Sequence, residues 1–337
     1  MGNRDVLAIG ASAGGIEALV GLVKNFPSDF PASIFLTIHL SNRARSELGE
    51  LLTRAGPLRA AFAQDGEVIT KSRIYIAPPN KHLLLDGEWV SLGVGPRENN
   101  ARPAIDPMLR SAALCCGPRS VGVVLTGMLD DGAAGLWAVG QSGGITVVQD
   151  PKDAAFSDMP RAASERARPD HVVPLAGMSA LLDRLVRLPA GPPKPLPPTL
   201  KYEVELAKGR AGEMEEMDKL GRRSVLTCPD CGGVMWEIDE GELRRYRCHV
   251  GHTYTGEGMG VALDESLRGA LASALRALDE RVALARKLRN DASRRGHVLL
   301  AENWADRCRE AQREAEVIRE SLRRMDGVSG AARETAG

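Results

Sequence analysis

The first 188 residues alternate short apolar segments with amphipathic ones, and this alternation restricts the fold more than any other feature of the chain. Asp5–Ile9 and Ser33–Leu40 are apolar runs of strand length, whereas Gly15–Asn25 and Arg43–Arg54 show helical spacing. Apolar strands separated by helices are typical of a mostly parallel sheet covered on both faces. We therefore predict a doubly wound α/β domain over residues 1–188, with a site beyond the carboxyl ends of its strands.

The remainder of the chain divides into three predicted segments. Residues 189–223 begin with a stretch in which six of twelve residues are proline, and continue with many charges and few apolar groups. This composition predicts a stiff linker followed by a solvated helix or a mobile tether. Residues 224–256 form a compact cysteine and histidine module. Residues 257–337 carry two helical apolar repeats broken at Arg295-Gly296, which favours a helical hairpin or a dimerising coiled coil with a disordered tail.

Composition narrows the classes of function. The 44 basic and 44 acidic residues balance to zero, whereas a nucleic-acid-binding protein needs a basic excess. No apolar stretch approaches the roughly 18–20 residues of a membrane span, and the first apolar run is too short for a signal peptide. We therefore expect a cytoplasmic protein with neither nucleic-acid binding nor membrane insertion.

Residues 10–14, Gly-Ala-Ser-Ala-Gly, match the G-x-S-x-G pattern between a predicted strand and a predicted helix. Glycines allow the tight turn that lifts Ser12 out of the sheet, and the following helix offers free N–H groups to an oxyanion. Two other interpretations stay open at this point. Ser12 could simply cap the helix, or the glycine-rich turn could cradle a nucleotide phosphate, although G-x-G-x-x-G is not met.

Two further strand ends carry residues that suit a serine nucleophile. His39 ends the second predicted strand, and Asp130 and Asp131 follow the predicted strand Ser120–Leu125. Each has an ordinary alternative, since His39 could be a packing residue and the acidic pair a helix cap. Together with Ser12 they supply a nucleophile, a general base and an orienting carboxylate to one edge of a sheet. Their chain order differs from the Ser–Asp/Glu–His order of α/β-hydrolases, so a different topology is expected.

At these residues the sequence resembles the catalytic domain of the chemotaxis receptor methylesterases, the protein-glutamate methylesterases of the CheB family. The resemblance covers residues 5–188 and is specific in order and spacing. The matching pieces are IGASAGGIEAL (9–19), IHL (38–40), YIAPPNKHLLL (75–85), RPAIDPMLRSAA (102–113), VGVVLTGMLDDGAAGL (121–136) and FSDMPRAA (156–163).

The resemblance implies a serine esterase in chemotaxis-like signalling. It assigns Ser12 as nucleophile, His39 as general base and Asp131 as carboxylate, because the family's aspartate directly precedes the glycine of D-G-A-A-G. The family hydrolyses γ-glutamyl methyl esters on membrane chemoreceptors, and some members deamidate receptor glutamines. No metal or organic cofactor takes part. The implied partners are methylated chemoreceptors or related signalling proteins.

Neighbouring residues have predicted supporting roles. The backbone N–H groups of Ala13 and Met128 are candidates for the oxyanion hole. Arg102 and Asp106 lie in a family motif and either shape the substrate cleft or form an ion pair at a helix start.

The sequence departs from the family pattern in two places. The family commonly carries an N-terminal receiver domain, but only four residues precede the first strand here, so we expect a stand-alone catalytic domain. Position 129 is leucine where the family commonly has glycine.

Two other classes of function compete with the esterase. In one, the esterase fold and the C-terminal extension serve assembly in an interaction or signalling protein whose catalysis has decayed. In the other, the turn at residues 10–15 binds a nucleotide. Filled nucleophile, base and carboxylate positions argue against decay.

The C-terminal module has the spacing of a zinc ribbon. Cys228 and Cys231 form a C-x2-C pair, and Cys248 with His252 supplies a second pair. His249 competes as fourth ligand, but its position next to Cys248 makes joint coordination awkward. Residues 234–246 are predicted to form a hairpin that turns at 239–241. Four protein ligands predict a structural zinc without an open catalytic position, and reduced cysteines without metal are the alternative.

The other cysteines are assigned no chemistry. Cys115 and Cys116 are adjacent on a predicted helix, and Cys308 stands alone. We interpret all three as small core residues.

Overall fold

The computed structural model describes residues 2–39, 47–210, 214–240 and 243–334. These residues form two compact units, the first ending at Met259 and the second beginning at Gly260. The predicted catalytic segment, linker and cysteine module therefore belong to one unit. Part of the predicted helix Arg43–Arg54, the tip of the predicted hairpin and the end of the predicted tail lie outside the described residues.

Strands and helices alternate through the first part of the chain. The strands are β1 (Val6–Ala11), β2 (Ser33–Ile38), β3 (Arg59–Phe62), β4 (Arg73–Ile76), β5 (His82–Asp86), β6 (Trp89–Gly93), β7 (Ser120–Val124), β8 (Ile145–Gln149) and β9 (His171–Val173). The helices are α1 (Gly15–Val23), α2 (Leu48–Ala55), α3 (Ile105–Cys116), α4 (Ala133–Gln141), α5 (Asp158–Ala167) and α6 (Leu175–Arg187).

One sheet organises this part of the molecule. Its seven strands run in the order β3-β4-β2-β1-β7-β8-β9, and every neighbouring pair is parallel. The chain builds outward from β1 in one direction through β2 and in the other through β7. The strand order therefore reverses between β1 and β7, and the crevice beyond their carboxyl ends is where such sheets bind ligands. The predicted doubly wound α/β fold is confirmed.

Helices cover both faces of the sheet. Along β1, Leu7 and Ile9 join the core on one face, and Val6 and Ala8 join the core on the other. A strand buried on both faces needs apolar residues at every position, which is why the strands appear as continuous apolar runs in the sequence. The antiparallel hairpin β5–β6 lies outside the main sheet.

The segment predicted as a linker is helical over part of its length, one of the two predicted alternatives, but its first helix is packed rather than solvated. It contains α7 (Pro198–Lys208) and α8 (Met214–Leu220), and α7 packs on α3 and on the β5–β6 hairpin. Leu200 and Val204 of α7 are buried. A side chain on Gly93 would lie 2.0 Å from the Ala207 carbonyl oxygen, so this glycine permits the close approach. The apolar stripe of α7 is short and lies among charged residues. The composition of the segment therefore did not reveal that this helix would be buried.

Residues 222–255 form a second sheet, which we call the ribbon. Its strands are β10 (Arg222–Thr227), β11 (Val234–Glu240), β12 (Leu243–Cys248) and β13 (Thr253–Thr255), paired antiparallel in that order. β11 and β12 pair from Met235↔Cys248 to Glu240↔Leu243, as the predicted hairpin requires.

Two long helices, α9 (Gly256–Arg294) and α10 (Val298–Glu334), complete the described chain. Within the second unit, Val282 and Ala285 of α9 share a small core with Cys308 and Ala311 of α10. Gly296 has φ of 76° in the connection, a conformation that glycine adopts readily. The predicted helical hairpin is therefore present.

Candidate active site

Ser12 lies immediately beyond β1 at the reversal point of the sheet. Its N–H donates to the Thr126 carbonyl at 3.0 Å, and the N–H of His39 donates to the Ala11 carbonyl at 3.3 Å. Ala11 pairs with Ile38 at the end of the β1–β2 register. Ser12 and His39 are therefore the next residues on adjacent strands, at the same edge of the sheet.

The turn after Ser12 explains the glycines of the motif. Gly14 has φ of 70° at the N-terminus of α1, a left-handed conformation that costs little only for glycine. A side chain on Gly15 would lie 2.8 Å from the Ala11 Cβ, so the helix could not begin so close to the strand. The tight turn thus leaves the Ser12 side chain half-buried above the sheet.

The structure brings His39 to Asp131. The His39 Nε2 lies 2.9 Å from the Asp131 Oδ2, with Asp131 almost completely buried and the imidazole 23% exposed. The contact is a close approach of the ring nitrogen to the carboxylate and does not meet the geometry of a hydrogen bond. Asp131 comes from the loop after β7, so strand ends on both sides of β1 supply this pair.

The Asp131 carboxylate is held by three donors. The Ile105 N–H donates to Oδ2 at 2.7 Å, and the Asp106 N–H donates to Oδ1 at 3.2 Å, so the carboxylate caps the N-terminus of α3. The Asn99 Nδ2 donates to Oδ1 at 2.9 Å. Burial by itself would raise the pKa of Asp131, but the His39 imidazole, the Ile105 N–H and the Asn99 amide together hold that pKa below its usual value. Asp131 is therefore an anion positioned beside the imidazole.

Asp106 is buried beneath Asp131 rather than open to a cleft. Its side chain accepts the Gly135 N–H at 2.7 Å and the Asn99 Nδ2 at 3.0 Å. Burial and the Asp131 charge raise the pKa of Asp106 to about 7. The residue is 1% exposed, so it can shape the predicted cleft only through the residues that it contacts. Asp106 instead supports Asp131 from below.

Arg102 does not pair with Asp106 as the helix-start alternative proposed. Its Nη1 donates to the Val94 carbonyl at 3.1 Å and to the Gly95 carbonyl at 2.8 Å. These bonds tie the start of the α3 segment to the loop that follows β6.

The two residues named for an oxyanion hole lie on neighbouring turns. The Thr126 hydroxyl donates to the Ala13 carbonyl at 3.0 Å, which links the Ser12 turn to the loop that carries Met128. Met128 is 49% exposed. Leu129 has φ of 62°, a left-handed conformation that explains why glycine suits this position.

Asp130 faces away from His39. It is buried and pairs with Arg166, and its Oδ1 accepts the Thr255 hydroxyl at 2.7 Å. The adjacent aspartates thus have separate partners, and only Asp131 meets the imidazole.

Sequence reasoning missed Asn99 and His82. Asn99 bridges both carboxylates from a left-handed backbone, φ 50°, and an Asn-Asn pair is a signal for such a turn. The buried His82 accepts the Ala104 N–H at 3.3 Å through Nδ1 and lies 2.8 Å from the Pro96 carbonyl through Nε2. Burial lowers the pKa of His82 despite its acidic neighbour Glu98. It supports the start of α3 as a neutral ring.

The predicted metal ligands also come together. One ligand atom each from Cys228, Cys231, Cys248 and His252 lies within 4.8 Å of the others, so the cluster could bind a metal ion. His249 is exposed and outside this group.

The spacing of these atoms matches that of ligands around a tetrahedral zinc ion. Bonds of about 2.3 Å to sulfur and about 2.0 Å to nitrogen separate two sulfurs by about 3.8 Å, and sulfur from nitrogen by about 3.5 Å. The Cys231 and Cys248 sulfurs are 3.7 Å apart. The His252 Nδ1 is 3.6 Å from the Cys228 Sγ and 3.5 Å from the Cys248 Sγ. The residues fit the ion.

A parallel α/β sheet that gathers serine, imidazole and carboxylate at its reversal point has the layout of a serine hydrolase. The family model for CheB methylesterase matches residues 7–182. The chain belongs to the CheB methylesterase family.

Individual relatives agree with this membership. A protein-glutamate methylesterase/protein-glutamine glutaminase of Xanthomonas campestris is 39% identical over 189 residues, which is 55% of this chain and 52% of that protein. A Leptospira interrogans relative, given the same activity provisionally, is 35% identical over 184 residues, or 54% of this chain and 95% of its own length. The crystal structure of the Thermotoga maritima CheB methylesterase catalytic domain matches with a TM-score of 0.53 and 31% identity, covering 55% of this chain and all of that one.

None of the helices in the described part of the chain has the length and apolar character needed to cross a membrane.

Proposed function

We propose that this protein is a protein-glutamate methylesterase that hydrolyses γ-glutamyl methyl esters through Ser12, His39 and Asp131. The family membership and its named relatives support the reaction. The single observation that carries the residue assignment is the 2.9 Å approach of the His39 Nε2 to the Asp131 Oδ2, at the strand edge where Ser12 emerges. The substrates are methylated chemoreceptors or related signalling proteins, and glutamine deamidation proceeds by the same acyl chemistry.

The reaction has two halves. The Ser12 Oγ attacks the ester carbonyl carbon while His39 takes the hydroxyl proton, and His39 then protonates the departing methanol. Water, deprotonated by His39, then attacks the acyl-serine, and His39 returns that proton to the departing Ser12 Oγ as glutamate is released. Asp131 fixes the imidazole orientation and stabilises its cation in both halves. The low pKa of Asp131 keeps this carboxylate ionised throughout.

The negatively charged oxygen of the tetrahedral intermediate requires hydrogen-bond donors near Ser12. We assign this role to the backbone N–H groups of Ala13 and Met128, which lie on the turns linked by Thr126. One such donor contributes about 3–4 kcal/mol to a transition state of this kind. The exposed side chains of Met128 and Phe156 offer an apolar wall for the methylene groups of the glutamyl ester.

Methanol release from receptor fragments carrying labelled methyl esters tests the assignment. Ser12→Ala should lower the rate at least about 10⁴-fold, since it removes the nucleophile. Ser164→Ala is the matched control, because among the described residues the Ser164 hydroxyl has no hydrogen-bond partner, and it should retain full activity. Retained activity in a folded Ser12→Ala protein would overturn the proposal and favour an interaction protein.

For the ribbon we propose a structural zinc held by Cys228, Cys231, Cys248 and His252. The donor set, its spacing and the small size of the ribbon support this ion, which would supply folding free energy. With all four positions taken by protein, no site is left for water activation. Elemental analysis should find one zinc per chain, lost in Cys231→Ser and kept in Cys308→Ser. Full zinc content in Cys231→Ser would contradict the ligand set.

We also place the protein in the cytoplasm. A cluster of reduced cysteines and the free state of the other cysteines fit a reducing compartment. Fractionation that recovered the protein in an oxidising compartment, with disulfides among Cys228, Cys231 and Cys248, would contradict this assignment.

A further inference from the structure

The ribbon is anchored to the sheet-bearing part of the same unit by buried charges. Arg245 and Arg247 of β12 lie on one face of the strand. Arg245 pairs with Glu203 of α7 at 2.7 Å, and Arg247 pairs with Glu203 at 3.2 Å and with Glu98 at 3.3 Å. Arg110 of α3 pairs with both glutamates. Buried charges are tolerated only when paired, so this network fixes the position of β12.

β13 continues from this anchor to the candidate active site. The Asn99 N–H donates to the Thr253 carbonyl at 2.8 Å, and the Thr253 N–H donates to the Arg97 carbonyl at 3.4 Å. Thr253 directly follows His252, one of the four clustered metal ligands. The backbone that carries a metal ligand is therefore hydrogen-bonded to the loop that carries Asn99.

Two residues next to Asp131, Asn99 and Asp130, are hydrogen-bonded to the three-residue strand β13. Asn99, held by Thr253, donates its Nδ2 to Asp131 at 2.9 Å. At the other end of β13, the Thr255 hydroxyl donates to Asp130 at 2.7 Å, and Asp130 precedes Asp131 in the chain. Thr253, Thr255 and Asp130 are each no more than 2% exposed, so water cannot readily replace these bonds.

We propose that the metal-loaded ribbon is a positioning element for the catalytic carboxylate: β13 holds Asn99 and Asp130, and these hold Asp131 against His39. The inference rests on the proposed function. Without metal the ligand cluster loses the free energy that folds it, and β13 keeps its pairing with β12 but loses its anchor at His252. Asp131 then keeps its two N–H donors from α3 but loses its lateral restraints. Imidazole orientation suffers in the transition state more than substrate binding does.

Metal removal from the full chain tests the coupling. Protein freed of zinc with a chelator is compared with the zinc-loaded protein, well below its unfolding temperature. We expect kcat to fall about 10- to 100-fold, the scale of a displacement near 1 Å in a catalytic group, with KM little changed. Hydrogen exchange should increase in peptides covering residues 95–101, whereas peptides covering β1 and β7 keep their protection. An unchanged kcat with an emptied site would overturn the inference.

Two variants separate positioning from general stabilisation. Thr255→Val removes one hydroxyl and keeps the shape, and Asn99→Ala removes the amide bridge. Each should lower kcat in the zinc-loaded protein, and zinc removal should then cause a smaller further loss than in the parent, because variant and metal act through the same contacts. Equal losses on zinc removal in parent and variants would contradict the coupling. If Asn99→Ala fails to fold, Thr255→Val suffices.

The matched control is Thr53→Val, which removes a threonine hydroxyl bonded to the Gly49 carbonyl in α2, and zinc removal should affect it as it affects the parent. Failure of the esterase proposal is recognised separately. In that case Ser12→Ala would hydrolyse the ester as fast as the parent, with or without zinc. If Ser12→Ala is inactive and zinc content has no effect on kcat, only the positioning inference fails.

Discussion

The α/β sheet and the ribbon hold their functional side chains by different means. In the sheet, parallel register and two apolar cores bring Ser12 and His39 to one edge. In the ribbon, one small sheet is held by a ligand cluster and by the buried charges of Arg245 and Arg247. Apolar burial is non-directional and tolerates substitution, whereas buried charges and metal ligands require specific partners. The ribbon should therefore be the more easily disrupted of the two.

The largest expected effect lies at the sheet edge. Asp131→Asn keeps the shape of the side chain but removes the charge that orients His39, so kcat should fall about 10³- to 10⁴-fold. Asp130→Asn is the comparison variant with a smaller expected loss, since that carboxylate meets Arg166 and Thr255 and acts only by positioning Asp131. Ester hydrolysis by both purified variants measures the difference. A larger loss in Asp130→Asn than in Asp131→Asn would reverse the assignment of the two aspartates.

The next effect concerns the charge network of the ribbon. Burial would raise the pKa of Glu203, but Arg245, Arg110 and Arg247 lower it to about 2. Glu203→Gln leaves those guanidinium groups with one carboxylate fewer, and should lower the free energy of unfolding by about 3–5 kcal/mol. Glu205→Gln, on the same helix but in partly exposed pairs with Lys208 and Arg210, should cost at most about 1 kcal/mol. Urea unfolding at pH 7 measures both.

The same substitution predicts a pH dependence. The folded-state pKa of Glu203 lies below its ordinary value of 4.5, so its stabilising contribution is present above pH 4.5 and is lost as the pH falls toward 2. The stability difference between parent and Glu203→Gln should shrink over that range. A difference that stayed constant to the acid limit of the folded protein would show that the carboxylate charge is not the cause.

A smaller effect distinguishes the paired carboxylates at the site. Asp106 faces Asp131, Asn99 and the Gly135 N–H, with Arg110 nearby, and its raised pKa means that ionising it costs stability. Between its ordinary pKa of 3.8 and about 7, the folded state binds the extra proton, so stability falls as pH rises, by on the order of 1 kcal/mol per unit. Asp106→Asn should remove that slope from the urea midpoints. An unaltered slope would place the retained proton elsewhere.

The smallest effect concerns the loop beside Asp131. Leu129 has φ of 62°. Leu129→Gly relieves the backbone strain of the folded state but raises the conformational entropy of the unfolded chain. Because the two effects oppose each other, the free energy of unfolding should change by less than about 1 kcal/mol. Leu129→Val should lose more, since a branched side chain fits this conformation poorly. Thermal unfolding of the two variants gives the order. Greater stability in Leu129→Val would show that the turn adopts another conformation.

Much of the sheet was predictable because its determinants are local. Apolar runs ending in glycine or polar residues located the strands that carry Ser12 and His39, and parallel topology then placed their ends together. The ligand spacing around Cys228 was likewise visible in the sequence. The confirmed fold class rests on these patterns.

The rest depended on tertiary partners. In the sequence, Arg245 and Arg247 have the spacing of a solvent-exposed strand face. No nearby residue in the sequence indicates that these two side chains are buried and paired with Glu203 and Glu98. The packing of α7 was hidden for the same reason, since four charged residues alternate with its five apolar ones. Asn99 bridges two carboxylates whose proximity exists only after folding.

The buried charge network also limits where the protein can be truncated. A fragment that stops after α6 would encode the complete seven-stranded sheet, yet leave Glu98 and Arg110 at a bare surface and uncover the strip on which Leu200 packs. Such a truncated product should be prone to association during overexpression. A fragment meant to hold the candidate active site should therefore extend through Thr255, where β13, the last strand beside that site, ends.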